Sequence, residues 1–229
     1  MSGHRVVHAF AHRGGRAHGP DNTLETFRAA LSLGAVGLET DAWLTRDGTV
    51  VLDHDGVHRA AKRRHEPMAE VRRDELPAHV PTLDELYVAC GTDFELAIDV
   101  KLPEVGARVV EIAREFNATS RLWLVGGTPG LLSSWGRLDP DVHLAMTVRP
   151  AQGRAATALA ARTAGADALN MRWMWWTARR VRQVQAMGVL AFAYDAQSTF
   201  ALRRTARLGL DGVFSDHVDR MTSVLGIAR

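Results

Sequence analysis

What the sequence lacks already excludes several classes of protein. Its 229 residues hold one cysteine, Cys90, so no internal disulfide is available. The thiol, within the helical pattern "LDELYVACG", reads as a small core residue in a reducing compartment. No apolar run approaches the ~20 residues that a membrane-spanning helix needs. Met1-Ser2-Gly3-His4-Arg5 is followed by no apolar segment with a small-residue cleavage site, and a cytoplasmic address is expected. Charge of one sign is also missing. A formal net charge of +2 is too slight to imply nucleic acid, and the basic runs Lys62-Arg63-Arg64 and Arg72-Arg73 read as solvated loop. After the first apolar run, "HRGGRAHG" lacks the G-x-G-x-x-G spacing that an open doubly wound sheet would use for phosphates. Lysine is scarce: of 28 Lys and Arg residues only Lys62 and Lys101 are lysines, which marks them as places where an ammonium is wanted.

What is present is alternation. Apolar runs of strand length trade places with amphipathic helical stretches from end to end, the pattern of parallel βαβ units. The runs are Val6–His12, Val36–Leu44, Phe94–Val100, Arg121–Val125, Val142–Val148, Ala166–Asn170, Val189–Tyr194 and Gly212–Phe214. Helical patterns begin near Thr23, Thr82, Glu104, Pro129, Gln152, Thr177, Ser198 and His217. Eight such cycles predict an α/β fold, a closed (β/α)₈ TIM barrel, as one domain over residues 1–229. A small insertion follows the second strand, roughly Thr45–Pro81, opening with an Asp47-Gly48 turn and a short strand in "TVVLDHD".

Strand alternation then selects side chains. In the second run Gly37, Glu39, Asp41 and Trp43 share one face, and in "FELAIDVK" Ala97, Asp99 and Lys101 do the same. The intervening Leu38, Ala42, Leu96, Ile98 and Val100 face the helices. Three carboxylates and an ammonium therefore converge on the barrel interior near the C-terminal ends of adjacent strands, where barrel active sites lie. Burying them without a purpose would be costly. Two purposes are open: a site for a hard divalent cation (Mg²⁺, Ca²⁺ or Mn²⁺), or an ion-pair network of Glu39, Asp41 and Asp99 with Lys101 and Arg13. His12 ends the first strand and His54 ends the short strand of the insertion, so two imidazoles reach the same rim. Together with Arg13, able to clamp a phosphate, and the point charge of Lys101, they suit metal-assisted phosphoester cleavage by acid/base catalysis.

These residues resemble the glycerophosphodiester phosphodiesterase family. The likeness rests on His12-Arg13-Gly14, Pro20-Asp21-Asn22-Thr23, "GLETDAWLTRDGTVVLDHD" at 37–55, Pro81-Thr82-Leu83, Asp99-Val100-Lys101 and "GLDGVFSDHVDR" at 209–220. It implies metal-dependent hydrolysis of a glycerophosphodiester, the small-molecule partner, to an alcohol and sn-glycerol 3-phosphate. It further implies Glu39, Asp41 and Asp99 as metal ligands, His12 and His54 as the acid/base pair, and Arg13 and Lys101 as phosphate contacts. The glycines after Arg13 would let the phosphate approach the backbone. In "FAYDA", Phe192 would stand where the family commonly has a substrate-facing Trp, and Asp99 stands where a Glu is commoner. The cluster Trp173, Trp175 and Trp176 offers an apolar wall for an acyl chain or a choline-like head group, Trp175 in particular as a substrate contact. Two rival readings are a lysophospholipase D-type phosphodiesterase and a non-catalytic phosphate-binding barrel. A metal-dependent amidohydrolase is disfavoured, because the first strand lacks a His-x-His pair.

Overall fold

The eight apolar runs become eight parallel strands of one closed sheet in the computed structural model, which describes residues 8–59, 65–148 and 157–227. They are β1 (His8–Ala11), β2 (Gly37–Leu44), β6 (Glu95–Val100), β7 (Leu122–Gly126), β8 (His143–Thr147), β9 (Ala168–Arg172), β10 (Leu190–Tyr194) and β11 (Gly212–Ser215). Each pairs in parallel with its successor, and β1 pairs with both β2 and β11, so the sheet closes into a barrel. The insertion holds β3 (Val50–Leu52), antiparallel to β2, and a hairpin of β4 (Val57–Arg59) and β5 (His65–Pro67). The expected strand start at Val6 and Val7, the helix start at Gln152 and the basic run at 62–64 lie outside the described residues. Arg72 and Arg73 are paired with Asp74 and Glu85, at 3.3 and 3.4 Å.

The helices are α1 (Leu24–Ser32), α2 (Leu83–Cys90), α3 (Pro103–Glu115), α4 (Pro129–Trp135), α5 (Thr157–Thr163), α6 (Ala178–Ala186), α7 (Thr199–Leu208) and α8 (Val218–Leu225). Five begin where a hydroxyl supplies the acceptor that the first turn lacks. Thr23, Thr82, Thr128, Thr177 and Ser198 each accept an N–H three residues on, a cap typically worth about 1 kcal/mol. Proline opens α3 and α4, where its missing N–H costs nothing. Cys90 ends α2 half-buried, and burial pushes its thiol pKa up, which disfavours the reactive thiolate. No helix among the described residues is long and apolar enough to cross a membrane.

Two apolar layers follow from the alternation. Leu38, Ala42, Leu96, Ile98 and Val100 pack outward with Leu83, Leu86 and Val109 of the helices. Inside the barrel Phe10, Trp123, Phe192 and Phe214 interleave with Ala97, Ala145 and Ala168. Phe10 and Phe214 stack at 4.7 Å, and Trp123 lies 5.0 Å from Phe192. These large rings, set against alanines on the intervening strands, form a floor on which the polar groups of the upper barrel rest.

Candidate active site

The first strand ends in a tight turn that aims two backbone-fixed groups into the barrel mouth. After Ala11 the chain enters a short 3₁₀ turn, His12–Gly14. Arg13 takes the left-handed conformation (φ 50°), followed by Gly14 and Gly15 at φ 78° and 80°. These glycines answer to packing. A Cβ on Gly14 would come within 2.9 Å of Phe27 Cδ1, and one on Gly15 within 2.7 Å of Val218 Cγ2. Both directions lead toward the helix layer, so the expectation that the glycines admit a phosphate is corrected: they let the turn bury itself against α1 and α8. The product of the turn is orientation. Arg13 N–H donates to Glu39 Oε2 at 2.9 Å. The segment Pro20–Thr23 locks it from behind: Asn22 N–H donates to Arg13 O (3.0 Å), Thr40 donates to the buried Asn22 amide oxygen (2.8 Å), and Asp21 accepts from Arg13 Nη1 (3.2 Å).

His12 is gripped from both sides. Its Nδ1 lies 2.5 Å from Asp216 Oδ1, and its Nε2 lies 3.8 Å from Glu39 Oε2. Burial opposes an imidazolium there, but Glu39 and Asp216 outweigh it and hold the pKa above the ordinary value. Burial likewise works against the Asp216 carboxylate, yet the His12 hydrogen bond brings its pKa below the usual range. Asp216 was not among the expected site residues. It lies within the quoted 209–220 segment, and with Gly212 and Phe214 it shares the inward parity of β11, a signal sufficient to find it.

The three acids stand on neighbouring strands, with Asp41 directly opposite Asp99 in the β2–β6 ladder. Lys101 Nζ joins them, 2.9 Å from Asp41 Oδ1 and 3.0 Å from Asp99 Oδ2, and lies 5.6 Å over the Trp43 ring. Asp99 and Asp41 hold the ammonium pKa up against burial, which works the other way. Glu39 is different. Burial, with Asp41 as a smaller contributor, pushes its pKa to about 7 against the partial relief of His12. Burial also raises Asp41, although Lys101 counters it. Asp41 Oδ2 and Arg13 Nε, 3.8 Å apart, are both buried without a hydrogen-bond partner. An all-oxygen donor set with an orphaned, buried carboxylate oxygen fits a hard divalent cation in kind. In this conformation Lys101 spans Asp41 and Asp99. Among the described residues no three acidic, His or Cys donors stand at coordination spacing.

Above the aromatic floor lies a cavity of about 200 Å³ lined by His12, Glu39, Asp99, Val125, Thr147, Asn170, Tyr194 and Phe214. His54 sits on the rim outside that lining, its Nδ1 2.9 Å from Asp55 Oδ1 and close enough to Asp41 to favour its ionised form. Asp53 serves as a turn former. Its backbone carbonyl accepts from Trp43 Nε1 and its carboxylate from Gly56 N–H, both at 2.8 Å, folding the insertion over the β2 end.

With this geometry in view, comparison with known proteins is decisive. The model of the glycerophosphoryl diester phosphodiesterase family matches residues 12–220. The chain belongs to that family. A Bacillus altitudinis glycerophosphodiester phosphodiesterase is 25% identical over 236 residues, covering 94% of this chain and 96% of that one. Among solved structures, the glycerophosphodiester phosphodiesterase of Thermotoga maritima superposes with a TM-score of 0.84 at 22% identity, covering 96% and 99%. An Oleispira antarctica phosphodiesterase in complex with the product sn-glycerol-3-phosphate gives 0.85 at 20%, covering 96% and 97%.

Within this phosphodiesterase barrel the aromatic expectations divide. Phe192 is 1% exposed in the floor and does not reach the cavity; Tyr194, one inward position higher on β10, does. Trp176 is fully buried, donating its Nε1 to Phe192 O at 2.9 Å between sheet and helices, and so forms no wall. Trp173 faces Phe200 and Arg204 on the outer surface. Trp175 is not in the cavity lining but lies edge-on to Tyr194, which is, at 6.4 Å.

Proposed function

We propose that the chain hydrolyses glycerophosphodiesters to an alcohol and sn-glycerol 3-phosphate by histidine acid/base catalysis, with a divalent cation held by Glu39, Asp41 and Asp99. The observation that carries this reading is His12, clasped by Asp216 on Nδ1 and turned by Nε2 toward Glu39 in the cavity wall. A histidine so held keeps one orientation, and the carboxylates beside it favour its protonated form, which suits protonation of a leaving alcohol oxygen. His54, half-exposed across the rim, is left to take the proton of the attacking hydroxyl. In the balanced step the nucleophile's oxygen bonds to phosphorus, the P–O bond to the alcohol breaks, and the His12 proton passes to that oxygen. Lys101 contributes a point charge beside the phosphoryl group and Arg13 a guanidinium on the same wall. A bound Mg²⁺, Ca²⁺ or Mn²⁺ supplies Lewis acidity toward a phosphoryl oxygen. Trp175 is the residue suited to contact the departing group.

Choline release from glycerophosphocholine and from lysophosphatidylcholine, each with and without chelator, tests the reading. Chelator-sensitive release from glycerophosphocholine is expected. A cavity of about 200 Å³ favours it over the acylated substrate. Full turnover of metal-stripped protein would overturn the cation's part, and no release under any condition would leave a non-catalytic phosphate-binding barrel.

A further inference from the structure

The cavity has two unlike halves. His12, Glu39 and Asp99 stand on β1, β2 and β6, and the neutral Val125, Thr147, Asn170 and Tyr194 on β7 to β10. Around the closed sheet β8 lies four strands from β1, and β9 four strands from β2, so Thr147 and Asn170 form the wall opposite the ionisable one. That wall holds an unmet polar group. Asn170 is 5% exposed, its Nδ2 donates to Thr147 Oγ1 at 3.2 Å, and its Oδ1 is buried with no partner. Its backbone carbonyl is engaged by Val148 N–H, and the residue lines the cavity, so the side chain carries the one polar atom left unmet there. Turning the amide over would exchange the two ends without removing the vacancy, because Thr147 can satisfy only one of them. A buried amide atom of this kind is costly unless a ligand completes it.

Resting on the phosphodiesterase reading above, we infer that Asn170 and Thr147 form a hydroxyl-binding subsite that receives the glyceryl moiety of the substrate. A hydroxyl both donates and accepts and satisfies the amide in either orientation. A trimethylammonium group offers neither an N–H nor an O–H and satisfies it in none. The described residues that line this half carry no charge, which leaves the phosphate to the His12–Glu39–Asp99 side. The small volume suits a short polyol and directs the second alcohol outward past Tyr194 and Trp175. Free glyceryl hydroxyls are thereby read by Asn170, and the second alcohol is read loosely.

Two anions that differ only in hydroxyls, sn-glycerol 3-phosphate and propyl phosphate, test this by calorimetric binding. The parent protein is expected to bind glycerol 3-phosphate about 10-fold or more tightly, the discrimination typical when a buried polar group is left unpaired. Asn170→Leu should bring the two affinities within about 3-fold of each other by weakening only the glycerol phosphate. Thr147→Val, close in volume and confirmed as folded by its melt, should move the ratio in the same direction and decides the matter if Asn170→Leu unfolds. Equal affinities in the parent, or an unchanged ratio in the folded variants, would overturn the subsite. Turnover of glycerophosphocholine, measured alongside, separates this from the reaction. A hydroxyl preference without turnover keeps the subsite and removes the proposed reaction, whereas turnover without the preference does the reverse.

Discussion

Glu39→Gln separates the two purposes that the convergent acids could serve. In the metal-free protein the Glu39 carboxyl has a pKa of about 7 in place of 4.5, chiefly because it is buried. A carboxylate whose folded pKa is raised stabilises the fold relative to its ionised form below the unfolded pKa, and that contribution is lost as pH rises through the folded pKa. The window is therefore pH 4.5 to about 7, and the displacement corresponds to a ceiling of about 3 kcal/mol. Glutamine stays neutral, and its amide oxygen can still accept the Arg13 N–H. At about pH 4, below the window, the variant and the parent should melt together. At pH 8 in chelator Glu39→Gln should melt higher, by roughly 2 to 10 °C for a chain of this size. Added Mg²⁺ should reverse the order: a cation at about 1,000 times its Kd stabilises the parent by about 4.1 kcal/mol, more than that ceiling, and the variant by much less. Calorimetric melts at the two pH values, with chelator and with Mg²⁺, read all of this directly. Comparing variant with parent at each pH cancels the titration of every group that does not interact with Glu39; His12 and Asp41, which do, are smaller contributors than burial. A lower melting temperature for the variant at pH 8 in chelator would refute the reasoning, because Glu39 would then be a satisfied member of an ion-pair network with no need of a cation.

His12→Ala and His54→Ala should each lower kcat by about 10²- to 10⁴-fold with little change in melting temperature, and the double variant should lose less than the product of the two; near-normal kcat in either would return that histidine to a structural part. Asp216→Asn removes a carboxylate that raises the His12 pKa. If His12 is the acid, activity falls as pH rises through its pKa, so the alkaline limb of kcat/KM should move to lower pH, and an unmoved limb would detach Asp216 from the chemistry. Trp176→Ala, which empties a fully buried site, should cost about 3–5 kcal/mol of stability without changing substrate preference. Trp175→Ala should instead raise KM for choline-bearing substrates more than for glycerophosphoglycerol at unchanged stability, and equal effects on both substrates would reduce Trp175 to loop packing.

The particular residues show where sequence reasoning reaches and where it stops. Alternation along "GLETDAWL" and "FELAIDVK" was enough to send Glu39, Asp41, Asp99 and Lys101 inward. Period 2 is a property of each strand by itself, and the structure pairs Asp41 with Asp99 across the ladder. Hydroxyls at Thr23, Thr82, Thr177 and Ser198 marked helix starts for an equally local reason: a cap needs only the next three residues. Height inside the barrel is not local. Phe192 and Tyr194 share a face, yet one is floor and the other lines the cavity, because strand tilt and stagger set which layer an inward residue joins. The same limit hid Thr147 and Asn170, whose strands offer no ionisable side chain at those positions to draw notice. It also misread the glycines. Whether the missing Cβ faces a ligand or Phe27 and Val218 depends on helices distant in sequence. Asp216 is the intermediate case: parity along β11 pointed it inward, but its meeting with His12, 204 residues earlier, exists only once the barrel has closed. The charged wall of the site was thus readable from two strands taken singly, whereas its neutral wall and the grip on His12 come from closure, which joins the first strand to the last.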